Sequence, residues 1–177
     1  MAMIPTNGGQ PAAIDGLDLI GAGTSFRNEL FDMVANSAIF NRFEGPEIRQ
    51  LIGYMHAYSA PAGTTLFREG EPGKYMGILI EGSIEVRKQN DDGREHAIAT
   101  ITPGKTFGEM SLIDGLQHSA SGVTLEPIVL TLLGKEPLRQ FLEKHPASGV
   151  KMLWEIARLL SLRLRQTSGQ LVDYLNQ

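Results

Sequence analysis

No cysteine occurs among the 177 residues. Disulfides, thiolate metal centres and cysteine nucleophiles are therefore excluded, and the composition fits a reducing compartment. No apolar run approaches the ~18 residues of a membrane-crossing helix. The chain does not open with a basic stretch followed by an apolar one, so no secretory signal is expected. With a net charge of −4 and a pI of about 5.6, nothing suggests general attraction to nucleic acid. The four histidines, His56, His96, His118 and His145, lack metal-ligand spacing. Ser111, Ser119 and Ser121 stand near His118, but no acidic residue is identifiable to orient a catalytic pair, and no histidine is marked as a haem ligand. The expectation is a cytoplasmic, non-enzymatic protein without metal or cofactor.

What is present suits one domain with a sizeable core: 42% of residues are hydrophobic. Residues 1–24 are rich in Gly, Ala, Pro and Asn without a steady period, and read as a tail that orders only where it docks. Gly21-Ala22-Gly23 is no dinucleotide fingerprint, since no strand precedes it and the third glycine is missing. Ser25 suits a helix N-cap, and Phe26, Leu30, Met33 and Val34 then share one helical face. Gly45-Pro46 opens a second helix whose apolar face is Ile48, Leu51, Ile52 and Met55.

From Ala60 to Leu133 the pattern is β. Short alternating or apolar runs occur at 64–67, 75–80, 83–87, 96–101, 120–124 and 127–133, bounded by Gly, Pro and Asp. Asn90-Asp91-Asp92-Gly93 is a turn between two of them. Many short strands at regular spacing predict a sandwich or β-roll.

One stretch interrupts this series: Phe107-Gly108-Glu109-Met110-Ser111-Leu112, then a loop, then His118-Ser119-Ala120. It reads as a strand end, a glycine turn, one short helical turn and a return to strand. Free backbone N–H groups beside a carboxylate offer partners for a phosphate and for a sugar hydroxyl. The stretch resembles the phosphate-binding cassette of the cyclic nucleotide-binding domain family, which includes the catabolite activator protein, the regulatory subunits of protein kinase A and cyclic-nucleotide-gated channels. The resemblance extends from about Phe43 to the C-terminus, and Ala62 to Gly70 and Ile80 to Val86 look like the family's first strand and central hairpin. It implies an α+β, mainly β fold: a double-stranded β-helix or jelly-roll with N-terminal helices and a long C-terminal helix. The divisions expected are a tail over 1–24, the roll with flanking helices over 25–146, and the long helix of the same domain over 147–177.

By that resemblance Glu109 binds a ribose 2′-hydroxyl, and the backbone N–H groups of Gly108, Glu109, Ser119 and Ala120 line the ribose-phosphate of cAMP or cGMP. The candidate ligand-binding set is Phe107, Gly108, Glu109, Met110, Ser111, His118, Ser119, Ala120, Thr167 and Ser168. The family normally has an arginine where this chain has His118, preceded by Gln117 where many members have proline. Arginine is always charged and forks onto phosphate, whereas histidine titrates near neutrality. If His118 meets the phosphate, binding should be tighter at pH 6 than at pH 8.

The last segment is helical. Glu136 to Lys144 forms a short helix, Pro146 restarts the chain, and a long helix follows from about Ala147. Val150, Leu153, Ala157, Leu160, Leu164, Thr167, Leu171 and Tyr174 recur at three and four, as along a coiled-coil seam. A helix of about 28 residues is roughly 40 Å long at 1.5 Å per residue, longer than a small roll can cover. A parallel homodimer is therefore expected through Val150, Leu153, Ala157, Leu160, Leu164 and Leu171, although packing on the chain's own roll would also bury a stripe. Arg165-Gln166-Thr167-Ser168 looks like the segment with which dimeric bacterial members reach the purine; a polar interruption of the seam reads as well. Arg158, Arg163 and Arg165 read as a solvated face or rim pairs. The bacterial activators of the family carry a helix-turn-helix beyond this helix, and no residues remain for one after Gln177, so neither DNA nor membrane is an expected partner. Two functions remain open: a cyclic nucleotide sensor acting through the helix and a dimer or effector surface, or a degenerate domain that has lost its phosphate site and acts as an interaction scaffold.

Overall fold

The computed structural model describes residues 15–20 and 24–175, without the side chains at 24, 25, 170 and 173–175. The expectations for residues 1–14, for Gly21-Ala22-Gly23, for a Ser25 side-chain cap and for Tyr174 lie outside the described residues. The elements in order are β1 (Asp18–Leu19), α1 (Thr24–Val34), a 3-10 turn (Ala38–Phe40), α2 (Gly45–Ile52), β2 (His56–Ala60), β3 (Thr65–Phe67), β4 (Tyr75–Glu81), β5 (Ile84–Gln89), β6 (Glu95–Ile101), β7 (Thr106–Phe107), α3 (Glu109–Asp114), β8 (Ser121–Thr124), β9 (Ile128–Gly134), α4 (Lys135–Lys144) and α5 (Pro146–Leu175).

The strands form two antiparallel sheets, one in the order β1-β2-β9-β4-β7 and one in the order β3-β8-β5-β6. This is the expected β-roll with helices at both chain ends. The side-chain period of two sorts β4 and β9 cleanly. Leu79, Leu130 and Leu132 face inward and form one core with Tyr58, Leu66, Ile84 and Phe107. Met76, Ile78 and Leu133 face the other way, into a second core with Leu30, Leu51, Phe141, Met152 and Ile156 from the helices. The first sheet is thus buried on both faces, and its outer face seats α1, α2, α4 and the first half of α5.

Several boundaries differ from the sequence reading. Asp18 and Leu19 pair with Ser59 and Tyr58, so the described end of the predicted tail docks on the sheet. Helix α2 begins as expected, with Pro46 in its first turn and the Glu47 carboxylate accepting the Glu44 N–H at 2.8 Å. It stops at Ile52. Met55 is buried in the same core but from the connection into β2, not from a third turn of helix. Residues 56–60, not read as strand, pair along their whole length with β9.

Helix α5 is held to the 3-10 turn by a buried charge. Glu155 is fully buried; it lies 3.3 Å from Arg42 Nε and 2.7 Å from Arg158 Nε. Arg158 also donates to the Ala38 carbonyl. Arg158 therefore clamps the helix to the domain rather than lining a solvated face. No helix among the described residues is long and apolar enough to cross a membrane.

Candidate functional site

The segment from β7 to β8 crosses from one sheet to the other, and its residue types fit that path. Phe107 ends β7 with its ring in the inner core, stacked on Phe67 at 5.8 Å between centroids. The ring fits because Gly77 opposite has no side chain: a Cβ there would stand 2.2 Å from it. Gly108 follows at φ 74°, in the left-handed region, and N-caps α3. Glycine enters that region at no steric cost, and here a Cβ would also meet the Tyr75 carbonyl at 2.6 Å. Gly115 closes α3 at φ 72°.

This turn drives Glu109 inward. Its side chain is 1% exposed. One carboxylate oxygen, Oε1, accepts a hydrogen bond from Arg163 Nη1 of α5, and the same guanidinium donates through Nη2 to the carbonyl and hydroxyl of Thr106. The other oxygen, Oε2, is buried and has no hydrogen-bond partner among the described residues. A buried carboxylate oxygen without a donor is costly. It is an acceptor placed to receive one hydroxyl or amide proton.

Arg163 thus sits at the centre of the site, where the sequence reading put a solvated or rim residue. The available signal was its place on α5, four residues before Thr167 and so on the same helix face. Its partner lies 54 positions away, and no local pattern links the two.

His118 is 9% exposed. Its backbone is fixed by the turn at 68–72: the His118 N–H donates to the Glu71 carbonyl at 2.8 Å, and the Gly70 N–H donates to the His118 carbonyl at 2.9 Å. Its ring lies against Phe67, 4.9 Å between centroids, with Nδ1 3.4 Å from the Ser111 hydroxyl. Burial pulls the imidazole pKa below its usual value, partly offset by the nearby Glu71 carboxylate. Any gain from an imidazolium therefore falls at lower pH than an exposed histidine would give.

Phe107, Gly108, Glu109, Met110, Ser111, His118, Ser119 and Ala120 lie in one continuous stretch. Glu109, Ser111, His118 and Ala120 are buried in it, and Met110 and Ser119 are exposed. The Ser119 carbonyl accepts a hydrogen bond from Lys88 Nζ of β5 at 2.7 Å, a contact the sequence did not announce. Thr167 and Ser168 are exposed on α5, one turn beyond Arg163. Of the seam residues, Val150, Leu153, Ala157, Leu164 and Leu171 are exposed, whereas Leu160 packs partly buried against the chain's own core. No group of three or more His, Cys, Asp or Glu side chains that could hold a metal occurs among the described residues.

Comparison with known proteins identifies the family. Residues 58–145 match the family model of the cyclic nucleotide-binding domain. A crystal structure of a cyclic nucleotide-binding domain from Methylobacillus flagellatus is 32% identical, with a TM-score of 0.78 over 89% of this chain and 88% of that one. The Thermus thermophilus catabolite activator protein superposes with a TM-score of 0.69 at 28% identity, over 76% of this chain and 62% of that one. A Mycobacterium tuberculosis protein named as a CRP-like cAMP-activated global transcriptional regulator is 30% identical over 80% of this chain and 62% of its own length. The chain belongs to the cyclic nucleotide-binding domain family. It spans about three-fifths of the length of the curated regulators it matches first.

Proposed function

We propose that the domain binds a cyclic nucleoside monophosphate, cAMP or cGMP, and reports it through α5. The observation that carries this reading is the buried Glu109 carboxylate, whose Oε1 is tied to Arg163 of α5 while Oε2 has no donor. A ribose hydroxyl donating to Oε2 would remove that deficit. It would do so on a group already joined to the long helix, so the ligand favours whichever arrangement of α5 keeps Arg163 on Glu109. A ligand shifts a conformational equilibrium only through such a differential contact. Thr167 and Ser168, one turn further on, have hydroxyls that can face a purine edge. The exposed apolar positions Val150, Leu153, Ala157, Leu164 and Leu171 suit a second copy of the helix, so a homodimer or an effector surface would carry the output. The regulator names of the relatives support a signalling role.

Calorimetric titration with cAMP and cGMP tests the reading. Micromolar binding is expected, weakened roughly tenfold or more by Glu109→Gln, which is the scale of one hydrogen bond to a charged group. Binding unaffected by that substitution would remove Glu109 from the site.

A second reading is favoured by His118. A buried imidazole with a depressed pKa is a poor replacement for an arginine, and a domain without a phosphate partner would serve as an interaction scaffold. A His118→Arg variant separates the two. If only the variant binds, the site is intact but has lost its phosphate partner. If neither binds, the scaffold reading holds.

A further inference from the structure

A cyclic phosphate carries one negative charge, and the charges around the cassette leave little to meet it. The Arg163 guanidinium is committed to Glu109 and Thr106. Arg87 is held by Glu85 at 2.6 Å and lies 3.7 Å from Glu95. His118 lies against Phe67 in the core and faces Ser111. Lys88 is different. The β5–β8 ladder pairs Arg87 with Ser121, so the next residue of β5 falls beside the segment entering β8. Its Nζ donates to the Ser119 carbonyl at 2.7 Å and to Glu69 Oε1 at 2.7 Å.

Glu69 is itself fixed, because its second oxygen accepts the Gln89 N–H at 3.0 Å and its backbone N–H donates to the Ser121 hydroxyl at 3.0 Å. Lys88 is therefore a positioned cation rather than a free surface chain. An ammonium has three donors, and two are used. The side chain is 49% exposed, so the third can reach a ligand without displacing the other two.

We propose that Lys88 is the cation that meets the phosphate of the bound cyclic nucleotide, taking the part that His118 cannot fill, with Glu69 and the Ser119 carbonyl holding its ammonium at the cassette. The assignment rests on the nucleotide-binding reading above. It gives Glu69 a role as a positioning residue: it aims the ammonium and does not touch the ligand.

The test is calorimetric titration of wild-type protein, Lys88→Met and Lys88→Arg with cAMP and cGMP at low and moderate salt, beside urea unfolding of each. For whichever nucleotide binds, Lys88→Met is expected to bind about tenfold more weakly, the scale of one charge-assisted hydrogen bond. It should do so while still unfolding cooperatively, its midpoint lowered only by the loss of the Glu69 and Ser119 bonds, and with a shallower salt dependence, while Lys88→Arg stays near wild type. Equal binding by wild type and Lys88→Met would overturn the assignment of Lys88 alone. So would an equal loss in Lys88→Met and Lys88→Arg, since the charge would then not be what the ligand senses. A folded wild type that binds neither nucleotide would overturn the nucleotide reading, and this inference with it.

Discussion

The Arg163 guanidinium of α5 and the Glu109 carboxylate of α3 form an ion pair that closes the cassette from above. The carboxylate is 1% exposed and the arginine side chain 42%, so the pair is dry on one side and wet on the other. Removing one partner of a buried pair strands the other charge, which typically costs about 3–5 kcal/mol. Arg163→Met should cost less, about 2–3 kcal/mol, because water can enter where the half-exposed arginine leaves. The double variant Arg163→Met/Glu109→Gln should be less destabilised than the sum of the single changes. Urea unfolding of the four proteins measures this, and strict additivity would mean that the pair contributes nothing.

Two glycines at nearly the same φ should respond very differently to substitution. Gly108 and Gly93 have φ of 74° and 75°. A Cβ at Gly108 would meet the Tyr75 carbonyl at 2.6 Å, whereas a Cβ at Gly93 would meet nothing within 4 Å. Gly93→Ala should cost about 1 kcal/mol, from backbone conformation alone. Gly108→Ala adds a clash with backbone that cannot yield cheaply, and should cost about 3 kcal/mol or more. Equal unfolding midpoints for the two variants would refute the distinction.

The same contrast between local and distant causes explains how much of this molecule was legible in its sequence. Strands β3 to β6, β8 and β9 were readable because alternation and turn glycines are local signals. Strand β2 was not, because Met55 lies four residues after Leu51 and so imitates another turn of α2; only the pairing of His56 to Ala60 with β9 makes that stretch extended. Strand β7, two residues long, offered no more than a strand end at Phe107. The cassette was legible as a continuous motif. Arg163 and Lys88 were not, since their partners lie 54 and 31 positions away in the chain. Glu155 shows the same limit, because its partner Arg42 lies far back in the chain, in the connection before α2.

Stability should fall on mild acidification. Burial holds the pKa values of both His56 and His118 below the usual histidine value. The unfolded chain then takes up protons from about pH 6.5 downward, before the folded chain does. The stabilising difference is full above that pH and is lost as pH falls through the folded-state values. Glu47 and Glu69, whose pKa values are lowered by hydrogen bonds, contribute only further down, around and below pH ~4.5. Urea midpoints at pH 7.5 and pH 5.5 therefore isolate the histidines. The wild type should lose stability over that interval and His56→Gln/His118→Gln should lose less; a midpoint that rises toward pH 5.5 would contradict the sign.

The single tryptophan of the chain gives a direct test of the proposed seam. Trp154 is 65% exposed on α5 near Val150 and Leu153, and these, with Leu164 and Leu171 further along the helix, are also exposed, while Met152 and Ile156 face the domain core. One stripe of the helix is thus satisfied within the chain and a second is not. A parallel helix pair would cover the second stripe, since a seam recurring at three and four over several turns is what such pairs bury. Emission from Trp154 should therefore shift to shorter wavelength as protein concentration rises, in step with the dimer fraction from sedimentation equilibrium. Leu164→Glu places a charge on the seam and should hold the protein monomeric with red-shifted emission at all concentrations, its thermal unfolding otherwise little changed because the position is exposed in the single chain. Concentration-independent emission from a chain that sediments as a monomer would leave α5 facing an effector rather than its own copy.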